Sequence, residues 1–184
     1  AGATTNVTIN RLTGRYVRLP ISLAGPGRIA LADGTVRVER TTLVLGRGRV
    51  VIDGRVAGPS LDAKLRIAGL SLSDARRARV DLPVRGVLSG TVALSGSSAA
   101  PAIAYDLQMR NLRPAGAGRA GTWVAIDAKG KLANQRLELD ARIANLGDGP
   151  VTISARVPIG AGGQAPAGTP VQGRIVGGFD LARL

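Results

Sequence analysis

Three stretches of the chain repeat one spacing, and that repeat limits the fold more than any other feature. The first reads Val50-Val51-Ile52-Asp53-Gly54, Pro59-Ser60-Leu61, then Leu65-Arg66-Ile67-Ala68-Gly69-Leu70. A shift of 42 residues gives Val92-Ala93-Leu94-Ser95-Gly96, Pro101-Ala102-Ile103, then Leu107-Gln108-Met109-Arg110-Asn111-Leu112. A further shift of 34 gives Ile126-Asp127-Ala128-Lys129-Gly130, Leu137, then Ile143-Ala144-Asn145-Leu146, with Gln135 where the other two carry proline. A strand-turn-strand unit used three times implies an array of similar units, not a single irregular globule.

Apolar and polar residues alternate with period two along most of the chain. Val7 to Ile9, Val17 to Leu23, Leu61 to Ile67, Ile103 to Met109, Val124 to Ala128, Arg136 to Ile143 and Val151 to Val157 all do so. Successive side chains of a strand point to opposite faces, so each segment has an aliphatic face and a face of Arg, Asp, Thr, Ser or Gln. That pattern predicts an all-β chain of about a dozen strands in an antiparallel sheet with one face covered. Asp33-Gly34 signals a two-residue hairpin turn, and Gly25-Pro26-Gly27, Gly58-Pro59, Ala133-Asn134 and Gly147-Asp148-Gly149-Pro150 mark others. One insertion, residues 71–80, breaks the rhythm. Ser71-x-x-Asp74 reads as a capping box, with a turn or two of helix from Asp74 to Arg79 before Pro83. Gly160 to Pro170 is rich in Gly, Ala and Pro and reads as a flexible loop. Residue 1 is Ala, and we read residues 1–184 as a single β segment of a longer protein.

Sheets of a dozen strands twist and must coil, close or fold over. At ~4.8 Å per strand the ribbon is roughly 60 Å long. Its aliphatic face either pairs with another as a β-sandwich or lines a trough folded lengthwise. Composition bears on that choice. The chain is 45% hydrophobic but only 2% aromatic, so large rings are not there to fill a thick interior. Candidate lining residues for a trough are Val50, Ile52, Leu61, Leu65, Ile67, Val92, Leu94, Ile103, Leu107, Met109, Val124, Ile126, Leu137, Leu139 and Ile143. The alternative is that the same residues form the closed core of a sandwich. A trough of branched aliphatic side chains offers acyl chains a dry surface worth roughly 0.8 kcal/mol per buried methylene, with no specific pocket required.

The formal net charge is +13, which favours anionic partners. Arg76, Arg77 and Arg79 form the densest basic cluster and are the candidate anionic contact, for a lipid phosphate or an acidic protein. The remaining arginines fall singly on the polar faces of strands and read as solvated. Single-strand nucleic-acid binders interleave aromatic rings with basic residues. Four scattered rings do not meet that need, and no nucleic-acid partner is expected. The chain has neither His nor Cys, which removes His-based triads and imidazole or thiolate metal ligands. Glu138 and Asp140 lie two apart on one strand, on the face opposite Leu137 and Leu139, and read as a solvated pair. No enzyme activity and no cofactor are expected.

The segment Gly86-Val87-Leu88-Ser89-Gly90-Thr91-Val92-Ala93-Leu94-Ser95-Gly96, followed by Pro101 and the alternating run Ile103 to Leu112, resembles the repeat of the TamB family. That family includes the inner-membrane-anchored subunit of the bacterial translocation and assembly module, and its relatives are the AsmA-like proteins. Residues 86–112 follow the repeat's order without gaps, residues 48–70 and 124–146 follow it more loosely, and the likeness spans residues 43–157. It implies an elongated antiparallel β-taco, a sheet folded lengthwise around a hydrophobic groove. It also implies a periplasmic location in a Gram-negative bacterium, with the parent protein anchored in the inner membrane. The implied partners are phospholipid or other apolar cargo and a TamA-like outer-membrane barrel protein. The implied roles are intermembrane lipid transport and support of outer-membrane protein assembly. The insertion Leu72 to Val80 has no counterpart in the repeat.

Overall fold

The computed structural model describes residues 3–77, 82–114, 123–147, 149–159 and 172–178. Its strands are β1 (Thr5–Ile9), β2 (Thr13–Tyr16), β3 (Leu19–Leu23), β4 (Gly27–Ala32), β5 (Thr35–Leu45), β6 (Gly48–Ala57), β7 (Ser60–Ser71), β8 (Val84–Ser97), β9 (Pro101–Pro114), β10 (Val124–Ala133), β11 (Arg136–Ala144), β12 (Val151–Pro158) and β13 (Gln172–Val176). All thirteen belong to one sheet, and every pairing is antiparallel. From β4 to β13 the order in space is the order in sequence, so each hairpin places the next strand beside the last. The long β5 has two neighbours along one edge. Its first half pairs with β4 through Thr35–Val38, and its last residues Leu43–Leu45 pair with β3, which carries β2 as a hairpin. β1 pairs with β4 and not with β13, so the described sheet does not close into a barrel.

Local chemistry explains the turns. Asp33 and Gly34 both have positive φ, 47° and 71°, the sign pattern of a type I′ hairpin, whose twist matches that of the flanking strands. Asn134 and Gln135 do the same at 51° and 57° between the paired Ala133 and Arg136. Proline cannot reach that φ, because its ring holds φ near −65°. This is why the third copy of the repeat carries Gln135 where the first carries Pro59. In the first copy Gly58 takes the positive φ, 53°, and proline follows it. The expected strand from Val17 to Leu23 starts only at Leu19. Val17 sits in the β2–β3 turn at φ 58°, a conformation that a branched side chain rarely adopts and that alternation does not reveal.

The repeat's last position has a backbone meaning. Gly69, Asn111 and Asn145 occupy equivalent places in the three copies and all have positive φ, 65°, 55° and 68°. Around Gly69 one extra residue is inserted in β7 opposite β8, between Ile67 and Leu70. Around Asn111 one extra residue is inserted in β9 against both neighbours. These are β-bulges with a left-handed residue, which glycine and asparagine tolerate best. Each bulge shifts the alternation by one, so the leucine that follows returns to the face it would otherwise have left.

The insertion forms one short helix, α1 (Leu72–Arg77), beginning two residues earlier than the Asp74 start expected from sequence; residues 78–80 lie outside the described residues. Ser71 precedes it and Asp74 falls in its first turn, as the capping pattern requires. The helix touches β3, β7 and β8, passing the turn between β5 and β6. Leu72 and Asp74 are buried there with Leu19, and the Asp74 carboxylate accepts a hydrogen bond from the Arg47 backbone N–H, 3.3 Å. The expected loop Gly160 to Pro170 lies outside the described residues.

Candidate apolar binding face

Residues directly opposite each other on neighbouring strands project to the same side of a sheet. The observed register therefore decides which alternating positions join. One row runs Val50, Ile67, Gly90, Leu107, Ala128, Ala141, Ile153, Ile175 across eight strands. Beside it runs Ile52, Leu65, Val92, Tyr105, Gly130, Leu139, Ala155, Gly173. A third row contains Ala63, Leu94, Ile103, Leu132, Leu137 and Val157, and a fourth Leu70, Leu88, Met109, Ile126, Ile143 and Val151. Leu61 extends this face next to Val56, and Val124 extends it next to Leu112. All fifteen residues expected to line an apolar surface thus lie on one face of the sheet.

That face is only partly covered. Val50 is buried, at 7% exposure, and the other fourteen are half-buried. Among the described residues only Leu19, Val50, Leu72, Leu112, Ala128 and Val151 form a buried apolar core, and Val151 alone is fully enclosed. Toward the ends the face opens further, with Leu31 at 41%, Val56 at 44% and Ile175 at 64%. Val, Ile and Leu are among the residues most often fully enclosed in folded domains, so a broad aliphatic face left only partly covered is the unusual feature here.

The opposite face is charged, with cations in excess and some of them paired to carboxylates. Lys129 pairs with Asp106 at 3.3 Å, Lys131 with Glu138 at 3.1 Å, and Arg110 with Asp127, all across neighbouring strands. Arg156 approaches Glu138 from the other side at 3.9 Å. Exposed pairs of this kind contribute at most about 1 kcal/mol each. Their larger effect is to keep this side wet, so that only one face is available for apolar contact. The Arg113 guanidinium stacks 4.6 Å from the centroid of the Trp123 ring. Of the candidate anionic contact, Arg76 and Arg77 belong to α1, while Arg79 lies outside the described residues. Among the described residues no group of His, Cys, Asp and Glu could hold a metal ion, and no helix is long and apolar enough to cross a membrane.

Sequence reasoning passed over Leu70, Leu112 and Tyr105 as members of the face. Leu70 and Leu112 are out of phase with the alternation before them, and only the bulges bring them back. The signal that could have placed them was the repeated Gly or Asn before a leucine. Tyr105 alternates correctly with Ile103 and Leu107. Its ring lies over Gly130, where an added methyl would run into both the phenol and the Glu138 carbonyl. An aromatic ring covering a cross-strand glycine shields backbone that the glycine leaves bare.

Burial, and secondarily the charge of Asp140, raise the pKa of Tyr105 above its ordinary value of 10.0. The folded state thus prefers the protonated phenol. Its contribution to stability is complete below pH 10 and is lost as pH climbs through the folded-state value. In a Tyr16→Phe protein Tyr105 is the sole tyrosine. Tyrosinate absorbance should then rise with a midpoint above that of the same protein in denaturant. Coincident midpoints would show that the phenol is not desolvated.

Compared with protein-family models, with curated proteins and with solved structures, the chain matches none of them.

Proposed function

We propose that this chain is a groove-forming, non-enzymatic segment of a TamB-like periplasmic protein, with the sheet folded lengthwise as a β-taco. Its aliphatic face shelters phospholipid acyl chains in transit between the two membranes, and through the parent chain it supports outer-membrane protein assembly with a TamA-like barrel partner. The observation that carries this reading is the one-sided aliphatic face, continuous across the strands from β6 to β12 and only partly covered over most of its residues. Such a face gives acyl chains nearly constant affinity from strand to strand, since burial is non-directional and scales with area. A chain could then slide without leaving a deep well. The high positive charge favours the anionic head groups that accompany those chains. Nascent outer-membrane strands are a second cargo of the same reading, and they would need an open sheet edge for backbone pairing. Among the described strands β1 and β13 end the main strand order.

Organic extraction of protein purified without detergent, followed by mass spectrometry, tests the proposal. About one phospholipid or more per chain is expected. A lipid-free extract would remove the carrier role and leave a β-sandwich spacer whose apolar face is sealed by its own packing.

A further inference from the structure

From β6 to β12 the apolar face carries a single side chain with a polar atom, that of Tyr105. Its neighbours across the ladder are Val92 and Gly130, and along its own strand Ile103 and Leu107. Gly130 leaves the room that the ring occupies. The hydroxyl makes no hydrogen bond to any described residue, although four carboxylates and several cations lie on the opposite side of β9, β10 and β11. A phenylalanine would cover Gly130 equally well, so shielding the glycine does not account for the hydroxyl.

Resting on the groove reading above, we infer that Tyr105 is a specificity-determining residue that recognises the carbonyl end of an acyl cargo. Its O–H donates a hydrogen bond to an ester or carboxyl oxygen while the hydrocarbon tail lies along the neighbouring aliphatic rows. Partial desolvation strengthens such a bond, because the competing water is reduced. The tail supplies affinity that is the same everywhere, and Tyr105 supplies a stopping place. Hydrocarbon without a carbonyl gains nothing from the hydroxyl. The phenol's upward pKa shift agrees with a group held protonated, and therefore able to donate, up to high pH.

The test compares the unaltered chain with Tyr105→Phe, which keeps the ring over Gly130. Fluorescence of N-phenyl-1-naphthylamine, an apolar probe with no carbonyl, reports occupation of the face. Probe affinity should be equal in both proteins. Displacement by lauric acid, by a monoacyl phosphatidylcholine, or by both should weaken roughly three- to tenfold in Tyr105→Phe, the worth of one hydrogen bond. A loss confined to lauric acid would identify a free carboxyl as the group bound, and a loss confined to the phospholipid would identify the ester. Unchanged displacement by both ligands would overturn the inference. So would a parallel loss of probe binding, because Tyr105 would then serve packing alone. If the unaltered chain does not bind the probe, the open-face reading itself falls and the role of Tyr105 falls with it. As a second measurement, the Tyr16→Phe protein should show its tyrosinate midpoint move upward when a carbonyl ligand is bound, and not when the probe is bound.

Discussion

Leu107→Arg should abolish photolabelling of the sheet by an acyl-chain crosslinker while leaving the fold intact. Leu107 lies between Gly90 and Ala128 in the first of the four rows, where small neighbours let a hydrocarbon chain approach the backbone. A guanidinium there must stay hydrated. An acyl chain crossing it would have to strip that water, a cost of several kcal/mol set against roughly 0.8 kcal/mol gained per methylene. Labelling should fall by more than about tenfold, since every 1.4 kcal/mol is a factor of ten. Ile126→Glu, placed between Met109 and Ile143, should behave alike. Both positions are half-buried, so the new charges reach solvent and the sheet survives. Arg136→Glu reverses a charge on the exposed polar side and should label as the unaltered chain does. Equal labelling of all three variants, with far-ultraviolet circular dichroism unchanged, would sink the assignment of the aliphatic face as the cargo surface.

Gly90→Ala should cost about 3 kcal/mol of stability, although it adds a single methyl group. Gly90 has φ 146° and faces Leu107 across the β8–β9 pair. A Cβ at that position would collide with the Asp106 carbonyl and lie 2.8 Å from the Leu107 Cα. Both obstacles are backbone atoms held in the ladder, so neither yields as a flexible side chain would. Relief requires that β8 and β9 separate locally, with loss of hydrogen bonds and of the register that joins Ile67 to Leu107. Gly14→Ala is the matching control. Nothing lies within 4 Å of a Cβ at Gly14, and its effect should stay within about 0.5 kcal/mol. Urea unfolding followed by circular dichroism measures both. Similar midpoints for the two variants would mean that Gly90 is not a close-approach position.

The two predictions concern adjacent residues of one row and depend on different physics. Leu107 acts through what it presents to solvent, whereas Gly90 acts through what it does not have. That pairing explains the composition of the face. Gly54, Gly90 and Gly130 interrupt the aliphatic rows at places where an added Cβ would meet a neighbouring strand. The surface is therefore both apolar and low in relief.

Much of this could be read from the chain without coordinates, because the physics involved is local. Two-residue alternation places Leu137 and Leu139 on one side of a strand and Glu138 and Asp140 on the other, whatever lies beside it. Asp33-Gly34 specifies a type I′ turn because those residues accept positive φ at low cost. The threefold spacing announced a chain of hairpins, and the strands from β4 onward follow one another in that order. Membership of the face was less accessible. It depends on parity, and each bulge reverses parity: Leu112 is out of step with Leu107 and Met109 until Asn111 takes its left-handed turn. Val17 misled in the same way, since alternation continues through a turn that only φ exposes.

Alternation along the chain thus settled that there would be a greasy side and a wet side, since strand geometry fixes direction for every residue independently. Whether fifteen such residues from six strands share one surface was settled only by hydrogen-bond register, a relation between residues far apart in sequence. How much of that surface stays open to solvent depends on which neighbours lie across it, a property of the assembled sheet and of no single strand.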